Sequence, residues 1–306
     1  MTADSCVTLS LDLDPVFEAA GVTASFHALD LGTGQEIAHR ADELSITASV
    51  SKLPVLLELC RQHATGEIDA SAPVAVPTQG RAHGPNGLSV MRDPTTMSLR
   101  DLAWLMIAIS DNAATDVVCA HVGLDRVTTT LRRLGLTRTR VDGDSRDVLR
   151  TIAEDLGVTT FDGLEITRER LAKLRALDPA RSLKVTTARE ITRLLQLIWD
   201  DEAAPPEACA EARRILGQQV WPHRLASGFA DLDEVRTSGK TGTLPTVRNE
   251  VGVVEYPDGG RYAVAVFTRS HALTQKNASA DAVIGTAARL AVDALRTGAS
   301  SAPVDQ

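Results

Sequence analysis

The sequence predicts an α+β protein with one antiparallel sheet and a separate helical lobe. With 306 residues, the chain is long enough for two domains or one large one. Its 43% hydrophobic and 24% charged content is ordinary for a globular protein. Apolar residues have helical spacing through the middle of the chain and alternate near both ends. Strands and helices that are segregated along a chain are typical of the α+β class.

The amino-terminal part predicts a short helix followed by a β-hairpin. Residues 11–20 have an amphipathic pattern that ends at Gly21. Residues 22–31 then alternate in places, and a Gly-Thr-Gly turn separates them from a second short strand at 36–39. This hairpin supplies strands to one edge of the predicted sheet.

The middle of the chain predicts mainly helices. An apolar helix runs from Ser49 to about Ala64, and residues 72–94, which are rich in Pro and Gly, predict a long loop. Thr187 is placed to cap a later amphipathic helix. Further helical segments are predicted at 98–135, 151–183, 186–200 and 206–218.

The carboxy-terminal part returns to a strand pattern and then ends in a helix. Strands are predicted at 235–243, 248–254 and 261–268, with turns between them, and a closing helix at 278–295. The small-residue tail from Thr297 predicts disorder. These elements predict two domains. The sheet domain is discontinuous and comprises residues 1–44 and 225–306. The helical domain comprises residues 45–224 and carries an atypical inserted loop at about 143–183.

A serine and a lysine three residues apart begin the first long helix. On a helix, this spacing places the side chains of Ser49 and Lys52 on one face. A neutral lysine amine can accept the serine proton as the oxygen attacks a carbonyl group. The Ser49 amide in the first turn would also face a developing oxyanion. The pair therefore predicts a nucleophile and its base.

Two further triplets follow in the order that a known family uses. Ser-Asp-Asn at 110–112 lies where the helical pattern breaks, and Lys-Thr-Gly at 240–242 lies in a predicted strand. The Ser-Asp-Asn triplet also suits an N-cap for the next helix, and both interpretations can hold. With Ser-x-x-Lys at 49–52, the set resembles that of penicillin-recognising serine hydrolases, closest to class A β-lactamases. The resemblance covers about residues 20–296.

The resemblance implies a β-lactamase/transpeptidase-like fold and an acyl-enzyme mechanism in the cleft between the two lobes. Ser49 would be the nucleophile, Lys52 the base for acylation, and Ser110 the proton carrier between Lys52 and Lys240. Amides of Ser49 and Thr243 would form the oxyanion hole. The substrate would be a small molecule with a carboxylate, and the side chains expected to bind it are Asn112, Lys240, Thr241, Gly242, Thr243 and Arg248. Arg248 has an alternative role as a partner of Glu250 or part of a strand surface.

The inserted loop is where the sequence departs from the class A pattern. No Glu-x-x-Leu-Asn occurs, so the glutamate that activates the deacylating water is missing. Its expected position falls near Ser145, which leaves Asp144 and Asp147 as candidate deacylation bases. A water without a positioned base loses assistance typically worth about 10²–10⁴-fold, so we expect ready acylation and slow turnover.

Composition excludes several partners and cofactors. The net charge of −8 gives no basic surface for nucleic acid or an anionic membrane, and no apolar run is long enough to span a bilayer. The cysteines lack metal-ligand spacing, so we expect reduced thiols, no metal and no cofactor; they are Cys6, Cys60, Cys119 and Cys209. We expect a monomer. The amino terminus lacks signal-peptide features, which predicts a cytoplasmic protein; a secreted chain already cleared of its leader would look the same.

The sequence leaves four functions open. A β-lactamase-like hydrolase needs an unconventional deacylation base. A D-alanyl peptidase or amidase uses the same nucleophile, but cytoplasmic residence does not suit a cell-wall substrate. A cytoplasmic biosynthetic acyl hydrolase or transferase and a non-enzymatic sensor that stays acylated are the other two. The deacylation rate and the acyl acceptor distinguish them.

Overall fold

One half of the molecule is built on a five-stranded antiparallel sheet. The computed structural model describes residues 8–161, 163–165, 167–232, 234–274 and 276–298. Its strands are β1 (Val22–Asp30), β2 (Glu36–His39), β3 (Ser45–Ile46), β4 (Pro73–Val76), β5 (Thr95–Ser98), β6 (Arg140–Val141), β7 (Lys184–Thr186), β8 (Arg236–Leu244), β9 (Val247–Glu255) and β10 (Arg261–Ser270). The five-stranded sheet has the strand order β2-β1-β10-β9-β8, so strands near both chain ends share it, and the predicted α+β class is confirmed.

The helices form the second half of the molecule and cover the sheet. They are α1 (Asp14–Ala19), α2 (Lys52–Ala64), α3 (Leu99–Ala108), α4 (Asn112–Val122), α5 (Leu124–Arg133), α6 (Ser145–Leu156), α7 (Arg168–Lys173), α8 (Ala188–Trp199), α9 (Pro206–Leu216) and α10 (Ala278–Thr297). Side-chain caps start several of them because they satisfy amide groups that the first turn leaves free. Thr187 caps α8 by accepting the Glu190 amide hydrogen, as the sequence predicts.

Two layers of apolar side chains hold the sheet in place. Phe26 and Val264 point to the face covered by α1 and α10, where they pack with Phe17 and Ile284. The opposite face contributes Ala265 and its neighbours to a larger core that continues into the helical lobe around α2. Because strand residues alternate between faces, the two cores use alternate positions of β10.

Helix α8 lies within the range predicted for the helical domain but packs on β1 and β10. A buried ion network fixes it there. His27 Nε2 on β1 lies 2.9 Å from Glu36 Oε2 on β2, and Arg189 Nη1 on α8 donates to the same oxygen at 2.5 Å. The described structure therefore places a helix from the middle of the chain against the sheet that the chain ends build.

Several element predictions need correction. The predicted loop at 72–94 contains β4, which pairs with β5, because Val74 and Val76 pack against the helical core. The inserted segment becomes helical at Ser145, earlier than the predicted 151, because an aspartate cap starts α6. Helix α10 continues to Thr297 with Gly298 at its C-cap, and the rest of the predicted disordered tail lies outside the described residues, as does Cys6. Among the described residues, no helix combines the length and apolar character that a membrane crossing needs.

Candidate active site

Ser49 lies in a short 3-10 turn that joins β3 to α2. The turn spans Ala48–Ser51, and Ala48 adopts a φ of 48°, a left-handed conformation that costs energy in a residue other than glycine. The Ser49 side chain is half-buried and lines two clefts, one on each side of it. A strained turn that exposes a hydroxyl between two clefts suits a nucleophile.

The two clefts are named here by one residue each. The Ser110 cleft is lined by Ser49, Pro85, Asn86, Ile109, Ser110, Asn112, Trp221, His223, Arg224, Thr241 and Thr243. The Lys184 cleft is lined by Ile46, Ala48, Ser49, Lys52, Asn112, Ser145, Val148, Leu149, Ala176, Ser182, Lys184, Thr243 and Leu244. Ser49, Asn112 and Thr243 belong to both. Neither set of lining residues contains a carboxylate.

Lys52 connects the first two motifs. Its amine donates to the Ser110 carbonyl oxygen at 2.8 Å, to Ser110 Oγ at 3.2 Å and to Asn112 Oδ1 at 3.0 Å. Ser49 Oγ is not among these three acceptors, although both side chains line the Lys184 cleft. Burial lowers the pKa of Lys52 well below its ordinary value, and the nearby cations Lys240 and Lys184 lower it further. The amine is therefore suited to accept a proton.

The Ser-Asp-Asn segment both caps a helix and shapes the cleft. Asp111 Oδ1 accepts the Ala114 amide hydrogen and so caps α4, while Asp111 Oδ2 accepts the Leu88 amide hydrogen at 2.5 Å. Ser110 adopts a φ of 61°, which turns its side chain away from the helical path. Asn112 Nδ2 donates to the His83 carbonyl at 2.9 Å. The N-cap interpretation of this triplet is thus confirmed, and Ser110 and Asn112 line the Ser110 cleft.

The loop against which Asp111 packs owes its shape to Arg81. Its guanidinium group donates to five backbone carbonyl oxygens at 2.9–3.0 Å; these belong to Val76, Pro77, Leu88, Met91 and Asp93. A guanidinium group has five N–H donors in a rigid plane, so it can hold several loop carbonyls at once. The loop therefore forms a fixed wall of the Ser110 cleft despite its Pro-rich and Gly-rich sequence.

Strand β8 brings the third motif to the opposite wall. Thr241 and Thr243 line the Ser110 cleft, but Lys240 is fully buried behind them and its amine donates to Thr241 O at 3.0 Å and Oγ1 at 3.4 Å. Burial lowers the pKa of Lys240 to about 7, although Glu250 opposes the shift. The predicted bridge from Ser110 to Lys240 is not among the hydrogen bonds of the described residues.

Close backbone packing aligns β8 with the Ser49 turn. A Cβ atom on Gly242 would lie 2.5 Å from the Thr47 carbonyl oxygen, so only glycine fits there. Asn249 on β9 donates to the Ile46 carbonyl at 2.8 Å. The Thr241 amide points away from β9 to Gln219 Oε1, and alternation along an edge strand gives the Thr243 amide the same direction. The Thr243 amide is thus placed at the cleft.

The arginine at the cleft is Arg224, which the sequence reasoning missed. It lines the Ser110 cleft and donates to Thr243 Oγ1 at 2.9 Å and to Asp281 Oδ1 at 2.6 Å. Arg248 instead lies beneath the β8–β9 hairpin, where it donates to the carbonyls of Leu244 and Val247. The segment before Arg224 has no periodic pattern, so no signal in the sequence pointed to it.

The two aspartates predicted as deacylation bases hold the start of α6. Asp144 Oδ1 accepts the Asp147 amide hydrogen at 2.9 Å, and Asp147 Oδ2 accepts the Asp144 amide hydrogen at 3.1 Å, forming a capping box. Asp147 also pairs with Arg150 at 2.8 Å, which lowers its pKa. Neither aspartate lines the Lys184 cleft, so the structure does not bring them to Ser49.

Among the described residues, no group of His, Cys, Asp and Glu could hold a metal.

Comparisons with known proteins identify relatives of this chain. The chain is 33% identical to "Beta-lactamase regulatory protein BlaB" of Streptomyces cacaoi over 94% of this chain and 98% of that protein. It is 24% identical to a β-lactamase of Streptomyces albus G, covering 90% and 81% of the two chains.

Solved structures share the fold. The β-lactamase of Sphaerobacter thermophilus superposes with a TM-score of 0.74 at 25% identity, covering 94% of this chain and 98% of that one. The model of the "Beta-lactamase enzyme family" matches residues 8–295, which is nearly the whole chain. Because the match spans both lobes and all three motifs, the chain belongs to the β-lactamase enzyme family.

Proposed function

We propose that this protein is a serine acyl-transfer enzyme that forms a covalent ester at Ser49 with a lactam, amide or ester substrate bearing a carboxylate. The observation that carries the proposal is the buried Lys52 amine, which lines the same cleft as Ser49 and contacts Ser110 and Asn112. Burial lowers the pKa of this amine well below its ordinary value and so favours the neutral form, which accepts a proton.

The contacts define a route for the proton. As Ser49 Oγ bonds to the substrate carbonyl carbon, its proton passes to Lys52 Nζ. The amine lies 3.2 Å from Ser110 Oγ, which can donate its own proton to the departing nitrogen and recover one from Lys52. The carbon–nitrogen bond then breaks and leaves the acyl group on Ser49. Amides of Ser49 and Thr243 would bind the oxyanion, each worth about 3 kcal/mol.

The substrate carboxylate would bind on the side of the Ser110 cleft that Thr241 and Thr243 of β8 line. Thr241 and Thr243 offer hydroxyl groups there, and Arg224 lies against Thr243. Lys240 adds positive charge from behind Thr241 rather than contacting the ligand directly. A charge-assisted hydrogen bond is about twice as strong as a neutral one, so this wall favours an anionic group.

Labelling at Ser49 tests the proposal. Mixing the protein with penicillin or a fluorophosphonate and measuring intact mass should add one increment, located on the peptide with Ser49. Ser49→Ala should abolish the adduct, whereas Ser71→Ala, which changes an exposed serine, should retain it. An adduct that persists in Ser49→Ala would refute the assignment of Ser49 as the acylated residue.

A sensor that stays acylated is the second candidate. It is favoured by the 33% identity to a protein named as a regulator and by the lack of a carboxylate among the residues lining either cleft. The time course of the adduct separates the two. Loss of the acyl group within minutes supports a hydrolase, and an adduct stable for hours supports a sensor. Increased loss when an amine or peptide acceptor is added would support an acyl transferase.

A further inference from the structure

Lys184 is a buried lysine next to the nucleophile to which the acylation step gives no role. It lies in β7, which pairs with β3 immediately before the Ser49 turn. The Thr47 amide donates to the Lys184 carbonyl at 3.3 Å, so the backbone of Lys184 is fixed to that turn. Its side chain is only 7% exposed and lines the cleft on the side of Ser49 away from Ser110.

The charged groups around Lys184 are already paired with others. The Asp116 carboxylate on α4 accepts the amide hydrogens of Ser145 at 2.7 Å and Arg146 at 3.2 Å, and it also pairs with the Arg146 guanidinium group. Asp144 and Asp147 on α6 cap that helix and pair with arginines. Within the described residues, Lys184 forms no ion pair with any of them. It is therefore not the cation of a structural salt bridge.

The electrostatic surroundings of Lys184 include both signs. Cys119 and Asp116 face it from α4, Asp144 and Asp147 from α6, and Lys52 from α2. Burial lowers the pKa of Lys184, and the thiol and the carboxylates oppose the shift. Burial likewise raises the pKa of Asp116, which weakens its pull on the amine. Burial thus favours the neutral form of the Lys184 amine.

The positions of the two clefts assign different steps to the two lysines. In the function proposed above, the departing nitrogen would leave through the Ser110 cleft, where Ser110 would supply its proton. The Lys184 cleft is lined by the same Ser49 and would admit a water to the other face of the ester. Six of the thirteen residues that line it are apolar, and the Ser182 hydroxyl donates to the Lys184 carbonyl at 3.3 Å rather than to the amine.

We propose that Lys184 is the base that activates the water for hydrolysis of the Ser49 ester, a proposal that rests on the function proposed above. The water oxygen bonds to the acyl carbon as its proton passes to Lys184 Nζ. The bond from that carbon to Ser49 Oγ then breaks, and Ser49 Oγ takes the proton that Lys184 Nζ accepted, so Lys184 is neutral again and Lys52 stays neutral in this step. Water is the only co-reactant, and the product is the free acid.

A time course of the acyl-enzyme tests this assignment. With a chromogenic cephalosporin, Lys184→Met should keep a burst of about one product per enzyme, although the burst rate should shift somewhat because Lys184 also lowers the pKa of Lys52. Loss of the adduct, followed by intact mass, should slow at least tenfold, the lower side of what a general base supplies. Lys173→Met, which changes an exposed lysine on α7, should leave both steps unchanged.

A pH profile separates a base from a residue that only shapes the cleft. In the unaltered protein, adduct loss should accelerate with rising pH and level off once Lys184 has lost its proton; this measurement needs no variant that might misfold. Lys184→Met should abolish that rise. Equal adduct decay in both proteins, or equal losses of acylation and decay, would refute the role of Lys184. No adduct at all in the unaltered protein would refute the function itself.

Discussion

Gly242 on β8 lies so close to Thr47 that a side chain at 242 would meet the Thr47 carbonyl at 2.5 Å. Real Cβ atoms do not approach this closely, so Gly242→Ala must move β8 or the Ser49 turn. We expect acylation to slow at least tenfold, because a shift of about 1 Å can cost about 10²-fold in rate. The burst rate with a chromogenic cephalosporin measures it.

A glycine of the same sheet far from the cleft provides the control. Gly32 in the β1–β2 turn has only the Asp30 carboxylate near its Cβ position, at 3.3 Å. Gly32→Ala should therefore keep the burst rate within about twofold. If Gly242→Ala acylates as fast as Gly32→Ala, the proximity of β8 to the turn does not set the geometry of the site.

The acylation rate should have a bell-shaped dependence on pH. Lys52 must be neutral, so acylation falls on the acid side as pH drops through its lowered pKa. Lys240 must be charged to attract the carboxylate, and its pKa is lowered to about 7, so acylation also falls as pH rises through that value. Single-turnover rates between about pH 5 and pH 9 test this profile.

Glu250→Gln separates the two limbs of that profile. Glu250 raises the pKa of Lys240, so its removal should move the alkaline limb to lower pH and leave the acid limb in place. Glu250 also accepts hydrogen bonds from Gln219 and the Leu225 amide, so the folded fraction should be checked by thermal unfolding. An alkaline limb that does not move would show that another group sets it.

Regular elements followed from the sequence because their signals are local. The continuous apolar run of β10, the N-cap at Thr187 and the glycine after α5 each depend on neighbouring residues, and all correspond to the structure. The meeting of Lys52 with Ser110 was expected from the order of the motifs, and the distance of 3.2 Å agrees with it, whereas the contact of Lys52 with Asn112 was not predicted. That agreement required the family resemblance, since helical spacing alone does not bring α2 to α4.

Contacts between distant parts of the chain could not be predicted from local sequence patterns. Strands β3, β6 and β7 have two or three residues each, too few for a periodic pattern, so the position of Lys184 beside Ser49 left no trace in the sequence. Arg224 belongs to an aperiodic connection. The aspartates at the start of α6 did carry a local signal, because Asp-x-x-Asp before an apolar pattern suits a capping box. The prediction of a deacylation base at these two positions left that signal unused.

Asp144 should affect stability rather than deacylation. Asp144→Asn keeps an N-cap oxygen, so both the free energy of unfolding and the rate of adduct loss should be nearly unchanged. Asp144→Ala removes the cap and should lower the free energy of unfolding by about 1 kcal/mol, again without changing adduct loss. Sustained fast turnover that disappears in Asp144→Asn would instead identify this aspartate as the base and exclude Lys184.

Recognition of the substrate carboxylate should depend on Arg224. A ligand with a free carboxylate should acylate Ser49 at least tenfold faster than its ester, the order expected for one charge-assisted hydrogen bond. In Arg224→Gln this acid-to-ester ratio should shrink several-fold, because Thr243 loses the guanidinium group that lies 2.9 Å from its hydroxyl. The ratio is measured within one protein sample, so a smaller folded fraction does not distort it.

Arg248→Gln is the matched comparison, since Arg248 donates hydrogen bonds to hairpin carbonyls and does not line the Ser110 cleft. A ratio that shrinks with Arg248→Gln but not with Arg224→Gln would return the carboxylate to the arginine that the sequence first indicated.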